Sequence, residues 1–335
     1  MRYPKFLKNN ATIGICAPSA GMGGKLDEYL ASINVLKEQG YSIKETASVR
    51  NDNPRSNTAT IRAEEINELV KDENVDMIFA ATGGDVELET VPYVDYESID
   101  KNPKWIMGYS DPTNLLFPVT TMLDIATLYG FNGSSFEEDT SKDELNCLEF
   151  LKGNLIKQES FDKYRDFIDV INEVDNYKYV YWNSSTEIDI KGRCIGGCLD
   201  VIEKLVGTKY GDINSFIDRY KDDGIVWYFD NFAMSAYNTY LTLLQFKNAG
   251  FFRHCKAVLI GRVAFPNTEG SDLITSYEDA YKLALDDIPY ISEMDIGHTE
   301  PRLVMINGAI INVECKDGKG SIEFELKWGI WYLFL

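Results

Sequence analysis

The segment KWIMGYSDPTNLL, residues 104–116, changes its period halfway. Its first half is a short apolar run of the kind that forms a strand buried on both faces. Asp111-Pro112 is then a helix-start signal, because Asp caps well and Pro is pre-organised for the first helical position. Leu115, Leu116 and Met122 carry an apolar helix onward. The same alternation surrounds this segment. Residues 11–17 (ATIGICA) read as a strand and run into the turn Pro18-Ser19-Ala20-Gly21. Leu26, Tyr29, Leu30, Ile33 and Leu36 then recur at helical spacing up to Gly40, and Ile66, Leu69 and Val70 mark a second amphipathic helix. Residues 75–82 (VDMIFAAT) form another apolar strand. Strands alternating with helices predict an α/β fold with a mostly parallel sheet.

The pattern weakens downstream. Residues 133–144 (GSSFEEDTSKDE) are polar, and residues 161–183 are rich in aromatics and acids without a clean period. This part reads as a domain connection with a loop or hairpin that lines a cleft. From Lys191 a second module starts. GRCIGGCLDVIEKLVGT, residues 192–208, reads as strand, double-glycine turn and helix, IVWYFDN as a strong strand, and KAVLIGRV as a further one. Tyr237, Tyr240, Leu241 and Leu244 mark a helix face between the last two, and Lys316-Asp317-Gly318-Lys319-Gly320 is a hairpin signal. The expected organisation is residues 1–155 as an α/β domain, 156–190 as a connection and cleft loop, and 191–335 as a second, smaller α/β domain.

With 335 residues, 44% hydrophobic and 26% charged, the chain has material for about two cores, at about 150 residues each. Disorder, collagen-like repeats and a small disulfide scaffold are excluded. Lys and Arg number 33 against 53 Asp and Glu, a formal charge of −20. Such a chain repels phosphate backbones, so nucleic acid and anionic membrane are excluded as partners. No apolar run reaches the roughly 18–20 residues that span a bilayer, and the first residues lack the apolar stretch of a signal peptide. A cytoplasmic protein is expected, with its six cysteines reduced and buried. The apolar run WGIWYLFL, residues 328–335, is expected to pack on the core or on a partner subunit.

Few residues could carry chemistry. The two histidines, His254 and His298, nearly exclude a multi-histidine metal site, and Cys194-x3-Cys198 has no second ligand pair, so no metal is expected. His254 reads as a surface or capping residue. His298 follows Gly297 in a loop, where a side chain can be presented to a cleft. Ser110 sits where a strand turns into a helix, beside the unpaired N–H groups of the helix start, which could stabilise an oxyanion. A serine that merely starts a helix accounts for the same tetrapeptide. Gly83-Gly84 ends the preceding strand and lets a backbone amide approach a ligand. No phosphate-binding glycine motif is present. Asp230 ends the apolar strand IVWYF. An acid there needs a partner, or else caps the helix that follows.

Taken together, IGICAPSAG (13–21), ATGGD (81–85), DYESIDKNPKWIMGYSDPTNL (95–115), KGRCIGGCLDVIEKLVGT (191–208), KAVLIGR (256–262) and DIGHTEPRLVMINGA (295–309) resemble the LD-carboxypeptidases and the related microcin C self-immunity serine peptidases. The likeness covers nearly the whole chain. It implies two α/β modules with the active site between them, Ser110 as nucleophile and His298 as general base. It also implies an oxyanion hole of backbone N–H groups at Gly84 and Asp111, with Gly83 and Trp182 near the substrate. The loop of residues 177–185 is expected to shape the pocket. No cofactor is implied. The substrate would be a murein tetrapeptide or an aminoacyl-nucleotide, and a homodimer is expected. One departure matters. The family's acid is a glutamate, where this chain has Asp230. Being one methylene shorter, it requires the strand end and the histidine loop to come closer together. If they do not, the alternative is an impaired relative that binds and sequesters its ligand. An acyltransferase or amidase with the same triad is the enzymatic rival.

Overall fold

A computed structural model describes residues 1–52, 54–270 and 272–327. The apolar run at 328–335 lies outside the described residues. The chain divides into two units. The first comprises Met1–Ile156 and Val304–Gly308, together with Leu326 and Lys327; the second comprises Lys157–Leu303 and Ala309–Glu325. The segment read as a connection therefore belongs to the second unit almost entirely.

In the first unit, β1 (Thr12–Cys16), β2 (Ser42–Glu45), β3 (Met77–Ala80), β4 (Trp105–Gly108) and β5 (Thr127–Tyr129) pair in parallel in the order 5-4-3-1-2. A short strand from far along the chain, Met305–Asn307, closes the β5 edge antiparallel. Every residue of β3 and β4 is buried, as their continuous apolar runs require of strands covered on both faces. The helices α1 (Leu26–Glu38) and α2 (Ala59–Lys71) are amphipathic. In α1, Tyr29, Ser32, Ile33, Val35 and Leu36 form the buried stripe. In α2, Thr58 caps the start by accepting the N–H of Ile61. The short α3 (Tyr96–Lys101) leads into β4, and α4 (Thr113–Leu123) is buried nearly all round. A further helix, α5 (Lys142–Leu151), follows the polar stretch 133–144; Glu144 reaches back to accept the N–H groups of Ser141 and Glu137.

The sheet order reverses between β1 and β3. At such a point the loops leaving the carboxyl ends of neighbouring parallel strands diverge and leave a crevice for a ligand. Here those loops are Pro18–Gly21 after β1, Gly83–Glu87 after β3, and Tyr109–Pro112 after β4.

In the second unit, β6 (Gln158–Glu159) lies at one edge, and a small hairpin of β7 (Lys163–Tyr164) and β8 (Lys178–Tyr179) brackets α6 (Phe167–Ile171). The long β9 (Ile188–Cys198), β10 (Ile225–Asp230), β11 (Cys255–Gly261) and β12 (Tyr290–Met294) run parallel. After Met305–Asn307, which is β13 in chain order, β14 (Ile310–Lys316) and β15 (Lys319–Glu325) return as the antiparallel hairpin expected from the Asp317-Gly318 turn, both residues having positive φ. The seven strands lie in the order 12-11-10-9-14-15-6. Helices α7 (Leu199–Leu205), α8 (Asn214–Tyr220), α9 (Ala236–Asn248) and α10 (Tyr277–Leu285) complete the unit.

Gly196-Gly197 is not a turn, since β9 runs straight through it. A side chain at Gly196 would place its Cβ 1.9 Å from the carbonyl oxygen of Tyr228 on β10. The glycine is there so that two strands can approach, not so that the chain can reverse.

Candidate active site

The first unit builds a sharp elbow after β4. A Cβ at Gly108 would lie 2.6 Å from the Pro112 ring, so only glycine lets the chain fold back so tightly. Ser110 sits at φ +70°, a left-handed conformation that costs a non-glycine residue about 1–2 kcal/mol. The surroundings hold it there. The Ser110 N–H donates to the Tyr129 hydroxyl at 3.1 Å, and the Tyr109 N–H to the Asn132 side-chain oxygen at 3.0 Å. The Ser110 hydroxyl lies over Gly83, where an added Cβ would be 3.3 Å from Oγ. Gly84 has φ +146° and packs on Ser19, with an added Cβ only 2.3 Å from Ser19 Oγ. The elbow and the Gly83-Gly84 turn thus meet within one unit.

The helix start differs from expectation. Pro112 occupies the N-cap and no side chain caps the helix, so Asp111 is not the capping residue. Its carboxylate turns inward and accepts from Ser19 Oγ at 2.5 Å, from the Glu87 N–H at 2.9 Å and from Asn114 Nδ2 at 2.8 Å. The backbone amides of Asp111 and Gly84 donate to no group among the described residues. Burial raises the Asp111 pKa against these donors, and it pushes Glu87 well above the usual carboxylate range, with Asp111 adding to the effect.

The second unit holds an acid and a base together. Asp230, fully buried at the end of β10, approaches His298 Nδ1 at 2.9 and 3.0 Å. Next to it in β10, Phe229 stacks on Trp227. The histidine loop lies directly against this acid. Gly297, at φ +97°, lies so near that a Cβ there would be 1.9 Å from Asp230 Oδ1. The imidazole is flanked by Phe232, with ring centres 4.6 Å apart, and by Phe167 at 5.5 Å and nearly perpendicular. Asp230 does not cap α9; Ser235 does, by accepting the Asn238 N–H.

Sequence reasoning missed four supports: Ser19, Tyr129, Phe232 and Asp200. The Asp200 carboxylate accepts the N–H groups of Phe232 and Ala233, at 3.0 and 3.1 Å, and so fixes the loop that follows Asp230. The serine in Pro18-Ser19-Ala20-Gly21 was visible at the end of a strand, but nothing in sequence linked it to Asp111. Trp182, expected beside the substrate, is a core residue. It is fully buried, donates its indole N–H to Asp295 at 2.8 Å and lies under Gly320, where a Cβ would be 2.5 Å from the ring. The exposed aromatics of the same stretch are Tyr177, Tyr179 and Tyr181. His254 lies exposed in a turn and accepts the Ile225 N–H on its carbonyl.

Among the described residues, no group of three or more His, Cys, Asp or Glu is placed to hold a metal ion, and no helix is long and apolar enough to cross a membrane.

Residues 13–130 match the LD-carboxypeptidase N-terminal domain, and residues 191–313 match the LD-carboxypeptidase C-terminal domain. A Vibrio cholerae protein provisionally named a carboxypeptidase is 26% identical over 360 aligned positions, covering 97% of this chain and 96% of its own. The microcin C7 self-immunity protein MccF of Escherichia coli is 25% identical and covers 88% of each chain. Among solved structures, MccF in complex with glutamyl sulfamoyl guanosine superposes with a TM-score of 0.81 over 97% of this chain and 99% of its own, at 22% identity. A muramoyltetrapeptide carboxypeptidase from Oxalobacter formigenes does so with a TM-score of 0.74 over 95% of this chain and 100% of its own, at 19% identity. At these identities the structural likeness is one of fold.

Proposed function

The chain belongs to the LD-carboxypeptidase family, and from that premise we propose that it is a serine-type amide hydrolase using Ser110, His298 and Asp230 as a triad. The observation that carries this reading is the close Asp230–His298 Nδ1 pair in a chain that has only two histidines. A carboxylate on Nδ1 fixes the tautomer and supports the imidazolium, which leaves proton exchange to Nε2. Ser110 Oγ attacks the amide carbonyl carbon while Nε2 takes the hydroxyl proton. A tetrahedral oxyanion forms, and the amide N–H groups of Asp111 and Gly84 receive it. Nε2 then protonates the leaving nitrogen, the C–N bond breaks, and the acyl-serine is hydrolysed by water activated in the same way. The left-handed Ser110 serves this chemistry by lifting its hydroxyl out of the elbow.

Two substrates fit the family: an amide ending in a D-amino acid, as in murein tetrapeptides, and an aminoacyl-nucleotide of the kind seen bound in MccF. A cytoplasmic homodimer is part of the same reading. The test is a fluorophosphonate probe followed by substrate assays. Wild type should be labelled and Ser110→Ala should not. D-alanine release from a tetrapeptide is then compared with cleavage of an aminoacyl sulfamoyl nucleoside. A folded wild type that neither labels nor turns over either substrate refutes the hydrolase and leaves a sequestering protein in its place.

A further inference from the structure

The proposed oxyanion donors come from two different loops, Gly84 after β3 and Asp111 after β4. Two amides bind one oxyanion only if their spacing is fixed before the charge forms. Backbone pairing does not supply this, because both residues lie beyond the strands. What joins the loops is a buried polar knot. Ser19, on the third loop, is fully buried; its hydroxyl donates to Asp111 Oδ2 at 2.5 Å and accepts the Val86 N–H at 3.1 Å. The same Asp111 oxygen accepts the Glu87 N–H at 2.9 Å. Gly84 rests directly on Ser19, and the Ala20 N–H donates to the Gly83 carbonyl at 3.3 Å. The other Asp111 oxygen takes Asn114 Nδ2 at 2.8 Å, which ties the carboxylate to the first turn of α4.

We infer that Ser19 and the side chain of Asp111 form a positioning brace that sets the distance between the Gly84 and Asp111 amides. This deepens the reading of Ser110 as nucleophile and rests on it. Neither side chain exchanges a proton with substrate; each acts through the amides it holds. Removing the Ser19 hydroxyl leaves the Val86 N–H without its acceptor and frees the Gly83–Val86 turn to drift from the elbow. The elbow itself, held by Tyr129 and Asn132, stays in place.

The test uses the full chain and a fluorophosphonate, whose reaction with Ser110 builds negative charge on a phosphoryl oxygen in the oxyanion site. The maximal labelling rate and the half-saturating probe concentration are measured for wild type, Ser19→Ala, Asp111→Asn and the double variant. Removing one oxyanion donor outright costs about 10²–10³-fold in rate, so a donor displaced but not lost should cost about 10–100-fold. That loss is expected in the maximal rate, with half-saturation within about twofold of wild type. Because the two groups act as one device, the double variant should be no more than about threefold slower than the slower single. Asp111→Asn keeps the residue's size and serves if Ser19→Ala does not fold. Labelling of either folded single variant at the wild-type rate overturns the brace, and so do losses that multiply in the double variant. Absence of labelling in wild type removes the serine reading and the brace with it. Labelling of wild type with no deficit in the variants removes the brace alone.

Discussion

Gly297→Ala is the sharpest test of the proposed role of Asp230. The change adds one methyl group, and its cost can be worked in two parts. First, φ at this position is +97°, where a residue with a Cβ is strained by about 1–3 kcal/mol. That corresponds to a fall of a few degrees in melting temperature for a unit of this size. Second, the new Cβ would begin 1.9 Å from Asp230 Oδ1, whereas real Cβ atoms essentially never come within 3.0 Å of a neighbour. The carboxylate and the histidine loop must therefore separate by about 1 Å. A separation of that size takes the 2.9–3.0 Å contact at Nδ1 to about 4 Å, beyond hydrogen-bonding range. A misplacement of about 1 Å costs about 10²-fold in rate, and loss of a correctly held triad acid about 10⁴-fold. The folded variant should therefore label with fluorophosphonate about 10²–10⁴-fold more slowly than wild type. Circular dichroism and a melting curve check that it is folded. If folded Gly297→Ala labels within about threefold of wild type, the contact between this loop and the acid has no catalytic consequence, and Asp230 loses its assigned role.

Asp230→Glu lengthens the acid by one methylene where its carboxylate already lies against Gly297. Labelling should fall by about tenfold or more, and a gain in rate would show that the loop is not held where the structure has it. Glu87→Gln probes a buried carboxyl whose two oxygens have no hydrogen-bond partner. Burial, then Asp111, raises its pKa above the ordinary 4.5 while Arg62 opposes, so the folded chain holds this proton more tightly than the unfolded one. Its stabilising contribution is full below about pH 4.5 and is lost as pH rises toward the raised folded value. The melting-temperature advantage of Glu87→Gln should be near zero at pH 4 and grow from pH 5 to 8; a difference independent of pH contradicts the assignment. Tyr129→Phe removes the acceptor of the Ser110 N–H. It should cost about 1–3 kcal/mol of stability and about tenfold in labelling rate, and a neutral result would mean the elbow needs no such support.

How much of this was legible in the sequence depends on how local each cause is. The strands and helices of the first unit were readable because a continuous apolar run or a 3.6-residue stripe is written within a dozen residues. Ser110 was legible as a strand-to-helix elbow for the same reason. Helix α5 was also written locally, as Ser141 followed by Glu144, but the acidic stretch around it obscured the capping pair. Gly196-Gly197 was misread because a glycine pair has two physical uses, reversal and close approach. Only the Tyr228 carbonyl on another strand decides between them. The burial of Trp182 was not legible for a similar reason: its partner, Asp295, lies over a hundred residues away.

The supports of the site are the extreme case. Ser19 and Asp111 are 92 residues apart, and Asp230 and His298 are 68 apart. No period or spacing encodes such pairs. They exist because parallel strands deliver their carboxyl ends to one edge, so residues distant in the chain become neighbours once the strand order is set. The order β4-β3-β1 is what brings Ser110, Gly84 and Ser19 together, one from each successive loop. The sequence motifs that marked the family are in large part these loop segments. In the proposed mechanism they bear chemistry at one residue and geometry at the next. In Gly-Tyr-Ser-Asp the serine is the proposed nucleophile, while the aspartate side chain ties three loops together. In Asp-Ile-Gly-His the histidine is the proposed base, while the glycine lets Asp230 come within reach of it. A substitution at either geometric residue should therefore lower the reaction rate at unchanged probe affinity, which distinguishes it from a change in the pocket that binds the substrate.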